Sequence, residues 1–286
     1  MRIIRLLYPD FAGGGLETYY LGAHLLAKLL PENTTQKVYV VDIDPPSKEA
    51  YKITEGVYAK EAVMAGIKRA GEILREVQPD KVITLGGNCL VSQAPFDYLH
   101  GKYKNLGIIW IDAHPDVSTA NGNYPYAHAF VLGSLLGEKD TKLSHLRQYP
   151  KFLAHEILYV GLQSLLPDQE SFLRQRGVNF KIQDKEFLSD QEISNFCTQF
   201  EYIVIHLDID VLDASLFFST YFANKELVGD GSLGGRMSMN QLRQILRVIF
   251  KEADVVGLTL AEYLPFDAHK LQDMLAEIDL LREQSV

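Results

Sequence analysis

Two short acidic motifs have the residue types and the spacing for metal chemistry. "DAHPD" and "HLDID" each carry one histidine and two aspartates at alternate positions, which an extended chain presents on one face. Carboxylates crowded together are costly to desolvate unless a cation neutralises them, and neither motif contains Lys or Arg. A divalent metal, or two metals that share a bridging carboxylate, is therefore the predicted partner. The side chains concerned are Asp112, His114, Asp116, His206, Asp208 and Asp210.

Cys89 and Glu262 extend this cluster, because each follows an apolar run that predicts a strand. Ligands of an open parallel α/β sheet bind at the carboxyl ends of its strands. We therefore expect Cys89, Glu262 and the two acidic motifs to meet at one edge of a sheet. An isolated Asp-x-His is more often a cap or a surface pair, but two such clusters on separate strands favour metal binding. Five other histidines are expected in surface or packing roles: His24, His100, His145, His155 and His269.

Short apolar runs alternate with amphipathic stretches along the whole sequence. Most of the runs are continuous, which is typical of strands buried on both faces of a parallel sheet. The pattern predicts an α/β fold with helices on both sides of the sheet, as a single domain over residues 1–286. The predicted strands begin at Arg2, Lys37, Lys81, Leu106, Glu156, Glu201 and Asp254. The clearest predicted helices are 60–77, 167–176 and 239–252.

The overall composition excludes several classes of partner. The formal net charge of −9 argues against a nucleic acid or an anionic membrane surface. No apolar stretch approaches the roughly 20 residues that span a bilayer, and the first apolar run is too short for a signal peptide. Two cysteines, Cys89 and Cys197, do not make a disulfide framework, so we expect a cytoplasmic protein. Cys197 is expected as a buried helix side chain, and the aperiodic stretch 213–238 as a functional loop.

Four motifs, in their order along the chain, resemble those of the ureohydrolase family of arginases, agmatinases and formimidoylglutamases. The motifs are "GGNC", "DAHPD", "HLDIDVLDA" and "AEYLP", and they extend from Gly86 to Pro265. The resemblance implies an arginase-like three-layer α/β/α sandwich with a central, mostly parallel sheet. It also implies a two-manganese site at the carboxyl edge of the sheet, a small-molecule substrate and a homo-oligomer.

The resemblance assigns ligands to both metals by position. The first metal would be held by residue 89 with Asp112, Asp116 and Asp208, and the second by Asp112, His114, Asp208 and Asp210. In the family a hydroxide shared by the two metals attacks a guanidinium or amidine carbon. Two metals make this nucleophile available because they lower the pKa of a shared water.

The resemblance also implies two catalytic residues. Glu262 matches the acid that binds the substrate guanidinium. His128, in "YPYAHAFVLGS", matches a histidine that shuttles protons at the mouth of the site. From its own surroundings His128 could equally be a residue at the start of a helix, but its position twelve residues after Asp116 favours the catalytic role.

The sequence departs from the family pattern at several positions. Cys89 stands where the family has its first ligand histidine, and Asn88 stands where it has an aspartate. His206 replaces a serine, and Ala214 replaces a proline. Leu166 stands where arginases have an aspartate that contacts the α-amino group of the substrate. Arginine itself is therefore not expected to be a substrate.

Three roles remain open for Cys89. As a metal ligand, its thiolate would suit zinc, iron or cobalt better than manganese. As a nucleophile it would attack an amidine carbon, but the two carboxylate clusters would then be superfluous. As a small side chain that only fills space, it would leave the first metal with fewer ligands. His206 or water would then complete the set of ligands. His206 could instead hydrogen-bond a carboxylate ligand.

The leading interpretation is a metal-dependent hydrolase of a linear guanidino, amidino or formimino compound. Small polar residues after the first acidic motif are expected to line its entrance and to influence substrate choice: Ser118, Thr119, Asn121 and Asn123. The first alternative is a family member that has lost catalysis and acts as a binding or regulatory protein. The second is a deacetylase-like metal amidohydrolase, which has a related fold and one metal held by Asp-x-His and a further Asp.

Overall fold

A central seven-stranded sheet organises the chain. The computed structural model describes residues 1–47, 50–119, 124–139, 143–227 and 232–276. The strands are β1 Ile3–Tyr8, β2 Lys37–Val40, β3 Ile53–Thr54, β4 Val57–Tyr58, β5 Lys81–Gly86, β6 Leu106–Ile111, β7 Ile157–Val160, β8 Tyr202–Asp208 and β9 Asp254–Ala261. The sheet has the order β2-β1-β5-β9-β8-β6-β7, and all its neighbouring strands are parallel. Strands β3 and β4 form a separate antiparallel hairpin.

Helices cover both faces of this sheet. They are α1 Thr18–Leu29, α2 Lys60–Val77, α3 Gln93–Lys102, α4 Val131–Leu135, α5 Pro167–Arg176, α6 Asp190–Cys197, α7 Met239–Glu252 and α8 Phe266–Ala276. Strand β6 is buried along its whole length. Ile108 and Trp110 belong to the hydrophobic cluster that includes α2 and α3, whereas Ile109 and Ile111 belong to the cluster that includes α6 and α7. This is the three-layer α/β/α arrangement that the sequence predicts.

The predicted elements are all present. The three predicted helices have the predicted bounds, and the seven predicted strands start within one residue of their expected positions. Cys197 is buried at the end of α6, as expected. The hairpin β3–β4 escapes prediction, because strands of two residues carry no periodicity. Within the described ranges, no helix is long and apolar enough to cross a membrane.

The stretch 213–238 connects the acidic motif of β8 to α7. Its described part contains a short helical turn, Tyr221–Ala223, and no strand assigned to a sheet. A parallel bridge between Leu212 and Met237 brings the ends of the stretch together. Residues 228–231, which include part of "VGDGSLGG", lie outside the described residues.

The middle of the sheet determines where the polar side chains gather. Strands β5, β9, β8 and β6 are adjacent and parallel, so their carboxyl ends meet at one edge. The register of the strands places these ends side by side, since Ile111 pairs with Leu207 and Asp208 pairs with Ala261. Each of these four strands ends at, or within three residues of, one of the predicted site residues.

Candidate metal centre and active site

Asp112 lies in the middle of the cluster at the strand ends. It belongs to two groups of side chains whose ligand atoms all lie within 4.8 Å of one another. The first group is Cys89, Asp112, Asp116 and His206, and the second is Asp112, His114 and Asp210. Asp112 is therefore the carboxylate that these two groups have in common.

Asp208, at the end of β8, contacts members of both groups. Its Oδ2 accepts a hydrogen bond from Cys89 Sγ at 2.8 Å, and its Oδ1 accepts one from the backbone N–H of Asp210 at 2.6 Å. With Asp210 and Glu262 it forms a further group of close ligand atoms. The structure thus brings together all eight side chains that the sequence places at the strand ends.

Two of the acidic residues have a left-handed backbone, which residues other than glycine rarely adopt. The angle φ is 49° at Asp116 and 60° at Glu262. Backbone hydrogen bonds hold both residues in place. The N–H of Glu262 donates to the carbonyl of Gly87 at 2.7 Å, and the carbonyl of Asp116 accepts from the N–H of Gly133 at 3.0 Å. Backbone strain of this kind concentrates at functional sites, where it orients a side chain for its role.

Several buried polar atoms of the cluster lack a hydrogen-bond partner in the protein. Nearly all buried polar atoms in folded proteins are hydrogen-bonded, so each exception requires an explanation. The atoms are His114 Nε2, Asp116 Oδ2, His206 Nε2 and Asp210 Oδ1. Imidazole nitrogens and carboxylate oxygens are the ligands that divalent metals take from proteins. The residues present therefore fit a metal centre.

Burial without a counter-charge shifts the pKa values of this cluster. Burial raises the pKa of Asp112 to about 6, although a hydrogen bond to His114 opposes the shift. Burial and neighbouring carboxylates raise the pKa of Asp116 and of Asp208 well above the usual range. Burial alone would lower the pKa of His114, but Asp210 and Asp112 outweigh it and raise that pKa. A bound divalent cation would lower the pKa values of these carboxylates and so favour their charged form.

Cys89 and His206 are both buried in neutral form. Burial, and then the charges of Asp208 and Glu262, raise the pKa of the Cys89 thiol well above its usual value. A protonated thiol is a weak nucleophile, and this one donates to Asp208. Burial lowers the pKa of His206 to about 3, so its ring is the neutral imidazole that can bind a metal. These properties favour a ligand or filler role for Cys89 over a nucleophilic one.

Glu262 and His128 lie beside the two groups that contain Asp112, and with Cys89 they form another group of close ligand atoms. His128 Nδ1 is 2.7 Å from Glu262 Oε1, and the Tyr124 hydroxyl is 2.8 Å from His128 Nε2. Glu262 Oε1 is also 3.4 Å from Cys89 Sγ. The backbone N–H of His128 donates to the carbonyl of Gly13, which fixes the start of its short helical turn. A chain of polar contacts therefore connects the cavity wall to the cluster.

A cavity of about 280 Å³ opens onto these groups. Aromatic side chains form much of its wall: Tyr19, Tyr124, Tyr126, Tyr221 and Phe222. The sequence does not single them out, although two of them flank the proline of "YPYAH". Among the expected entrance residues, Ser118 lines the cavity and Thr119 does not, whereas Asn121 and Asn123 lie outside the described residues.

Leu166 lies at the rim of this cavity, directly before α5. Its side chain is 41% exposed. Nearby, Gln169 Nε2 donates to Ser118 Oγ at 3.0 Å. Among the described lining residues, the only carboxylates are those of the metal groups and Glu262, and no Lys or Arg is present. The described rim therefore offers hydroxyls, an amide and apolar surface.

Comparison with known proteins identifies the family of this chain. A family model described as the Arginase family matches residues 27–284. The chain belongs to the arginase family. The arginase of Bacillus subtilis is 23% identical over 273 residues, which cover 91% of this chain and 87% of that protein. The agmatinase of Bacillus cereus is 27% identical over 203 residues, which cover 70% of this chain and 61% of that protein.

Solved structures of arginase-family proteins share the fold. The arginase of Entamoeba histolytica, in complex with L-ornithine, has a TM-score of 0.78 at 16% identity and covers 92% of this chain and 91% of its own. The formimidoylglutamase of Bacillus subtilis has a TM-score of 0.62 at 15% identity and covers 92% of this chain and 78% of its own. These likenesses confirm the predicted ureohydrolase fold. Membership of the arginase family supports a hydrolase.

Proposed function

We propose that this arginase-family protein is a metal-dependent hydrolase of a linear guanidino, amidino or formimino compound. The proposal rests mainly on the position of Asp112. Its buried carboxylate belongs to two groups of side chains that contain nitrogen and oxygen atoms without hydrogen-bond partners. Two divalent metals, when bound there, would lower the pKa of a shared water and so supply a nucleophile for a C–N carbon. The proposed ligands are Cys89, Asp112, His114, Asp116, Asp208 and Asp210. Family resemblance suggests manganese for the group of Asp112, His114 and Asp210.

Glu262 would bind the cationic end of the substrate. An amidinium or guanidinium group is planar and presents paired N–H donors, which a carboxylate accepts in two parallel hydrogen bonds. Glu262 lines the cavity and is buried, so such a pair would be shielded from water. Its hydrogen bond with His128 holds one carboxylate oxygen in position.

His128 would move the proton that the leaving amine requires. Its Nδ1 contacts Glu262 and its Nε2 contacts the Tyr124 hydroxyl, so both ring nitrogens are already engaged in a polar chain. A histidine whose two ring nitrogens are both positioned by neighbouring polar groups is suited to general acid–base catalysis. Replacing it should slow turnover without removing the metals, because it lies outside the two metal groups of Asp112.

The cavity favours substrates without an α-amino acid head group. Leu166 stands at the rim, and the described part of the wall is largely aromatic. A charged ammonium placed against Leu166 would lose its water without gaining a carboxylate. The similarity to an agmatinase agrees with a substrate of this kind, whereas the similarity to arginases does not favour it. We therefore propose that arginine is a poor substrate.

A product-release assay tests this function. Metal-loaded protein would be incubated with guanidino, amidino, formimino and acetyl-amine compounds, and urea, ammonia, formamide and acetate would be measured. We expect urea or an amine product from a guanidino, amidino or formimino compound. The variant His128→Ala should reduce kcat by roughly 10²- to 10⁴-fold. The control His100→Ala, whose ring stacks on Phe152 away from the cavity, should retain activity.

Two results would contradict the proposal. Acetate release alone would indicate a deacetylase-like amidohydrolase. No product from any compound, with metal bound and saturable ligand binding retained, would indicate a protein that has lost catalysis and serves as a binding or regulatory protein. Urea release from arginine at about 10⁴ M⁻¹s⁻¹ or more would separately contradict the role given to Leu166.

A further inference from the structure

His206 occupies an unusual place for a histidine. It lies in the middle of β8, fully buried, with Trp110 of β6 and Thr259 of β9 beside it in the sheet. Its ring stacks on the indole of Trp110, with ring centres 3.7 Å apart and an angle of 11° between the planes. This stacking fixes the plane of the imidazole, so its two nitrogens point in set directions.

The two ring nitrogens of His206 differ in their surroundings. Nδ1 is 2.8 Å from the hydroxyl of Ser92, which lies in the same helical turn as Cys89. Nε2 is buried and has no hydrogen-bond partner. If Nδ1 carries the proton and donates to Ser92, Nε2 presents its lone pair. A histidine that binds a metal through one nitrogen commonly donates the other N–H to a neighbouring side chain in this way.

A role for His206 as a hydrogen-bond donor to a carboxylate does not fit the distances. Asp112 Oδ2 lies 3.7 Å from Nε2, which is too long for a hydrogen bond. That oxygen already accepts from the indole N–H of Trp110 at 3.0 Å. A buried N–H aimed there would remain unsatisfied, which is costly. A lone pair directed at a cation removes this cost.

We propose that His206 and Cys89 are both ligands of the first metal, together with Asp112 and Asp116, in a site that selects zinc. These four side chains have ligand atoms within 4.8 Å of one another, and all four are buried. The proposal rests on the metal centre of the proposed function but not on its substrate. From its sequence context alone His206 could either bind a metal or hydrogen-bond a carboxylate ligand, and the distances around its ring favour metal binding.

The two metal groups then differ in chemistry. The first provides a sulfur, a nitrogen and two carboxylates, which is the mixed set that zinc takes in four-coordinate sites. The second, formed by Asp112, His114 and Asp210, provides one nitrogen and carboxylates and is the harder set. Thiolate favours zinc over manganese, whereas an oxygen-rich set admits manganese. The centre is therefore expected to hold two different metals.

Metal content provides the first test. Protein loaded with one equivalent of zinc per chain and a large excess of manganese, then desalted without chelator, should retain both metals. His206→Ser and Cys89→Ser should each lose zinc and retain manganese. His24→Ala is the matched control, because His24 also has a buried, unpartnered Nε2 but belongs to none of the metal groups of the described residues. This control should keep both metals. Unchanged zinc in His206→Ser would overturn the assignment of His206.

A double variant keeps the test informative if the single variants do not fold. Cys89→His/His206→Ser replaces the sulfur by an imidazole and removes the second nitrogen, which keeps one imidazole in the first group. It should hold two metals again, with the preference of the first site for zinc over manganese now weaker than in the parent protein. If this variant binds metal while still preferring zinc as strongly as the parent, the thiolate does not set the preference and the proposal fails.

Spectroscopy on the unaltered protein provides a test that needs no variant to fold. X-ray absorption at the zinc edge should show one sulfur and one imidazole among the neighbours of zinc. Cobalt in the same site should give thiolate-to-metal charge-transfer absorption, which Cys89→Ser should abolish. A zinc environment of oxygen atoms alone would overturn the proposal. These measurements do not involve turnover, so failure of the hydrolase assay would leave their outcome unchanged.

Discussion

Asp208 is the single residue on which metal retention should depend most, because it contacts members of both metal groups. Its carboxylate oxygens accept from Cys89 and from Asp210. We expect Asp208→Ala to lower metal affinity by at least the roughly 10- to 100-fold that loss of an outer partner costs. Metal content after gel filtration, measured by elemental analysis, checks this outcome.

Asp97→Ala is the matched control for that change. Asp97 is also buried, but it accepts backbone N–H bonds from Gln148 and Tyr149, away from the centre. Its loss removes two charge-assisted hydrogen bonds from partly buried backbone N–H groups and should reduce the free energy of unfolding by about 1–3 kcal/mol, while metal content stays unchanged. If Asp208→Ala retains as much metal as Asp97→Ala, the role assigned to Asp208 is wrong.

Leu166 offers a gain-of-function change at the cavity rim. Leu166→Asp would place a carboxylate where the described rim has none, and Leu166 precedes the first turn of α5 in an extended conformation that suits a capping aspartate. We expect unchanged or slightly higher stability. The KM for guanidino compounds with an α-amino group should fall by about threefold or more, since the position is partly exposed. Steady-state kinetics with arginine and with a decarboxylated analogue measure the shift.

Leu153→Asp controls for the added charge. Leu153 is another exposed leucine in an extended conformation directly before a short helical turn, and it does not line the cavity. This variant should leave the preference between the two compounds unchanged. Equal shifts in both variants would show that net charge, rather than a contact at the rim, sets the preference.

Residue types and spacing were sufficient to predict which side chains gather at the strand ends, because these side chains follow directly after apolar strands. The orientation of His206 could not be obtained in this way. It depends on the indole of Trp110 and the hydroxyl of Ser92, which belong to other segments of the chain. The aromatic wall of the cavity could not be predicted from the sequence either, since single tyrosines in loops have no periodic pattern.

At the scale of secondary structure, the strands were predictable and their order was not. Each buried strand is a continuous apolar run, whose length and β-branched residues identify it locally. The sequence of a strand does not indicate which other strands lie beside it in the sheet. Strand β9 is the last of the described strands along the chain, yet it lies between β5 and β8. This insertion brings Glu262 next to the groups formed by β5, β6 and β8.

The packing of α1 controls the position of Glu262, which makes Gly22 a sensitive site. A Cβ added at Gly22 would overlap the backbone carbonyl oxygen of Tyr263, the residue after Glu262. We expect Gly22→Ala to reduce the free energy of unfolding by about 1–3 kcal/mol, because backbone must move to relieve the overlap. It should also weaken substrate binding. Denaturant unfolding and the KM for the active substrate measure the two effects.

Gly71→Ala tests whether the effect is specific to that contact. Gly71 lies inside α2, and the nearest atom to an added Cβ is Arg75 Nη1 at 3.3 Å, the end of a flexible side chain. Alanine is the better helix former, so stability should rise by about 0.5–1 kcal/mol. Equal behaviour of the two variants would contradict the claim that α1 positions Glu262.

At the scale of the whole molecule, the buried acids link metal binding to stability. The native centre gathers five carboxylates at one edge of the sheet, in a chain whose formal net charge is already −9. Without a cation, these groups repel one another or must take up protons, as their raised pKa values indicate. The unfolded chain separates them. The native state should therefore gain much of its stability from bound metal.

Metal removal should lower the melting temperature of this protein. A ligand present at 100 times its Kd stabilises the native state by about 2.7 kcal/mol, which for a chain of this size corresponds to roughly 4–5 °C. We expect a chelator to lower Tm by at least this amount, and added zinc with manganese to restore it. Asp208→Ala, which should hold little metal, serves as the control and should respond to neither. Calorimetry of both proteins measures the difference. An equal chelator effect on the two would show that the stabilising metal lies elsewhere.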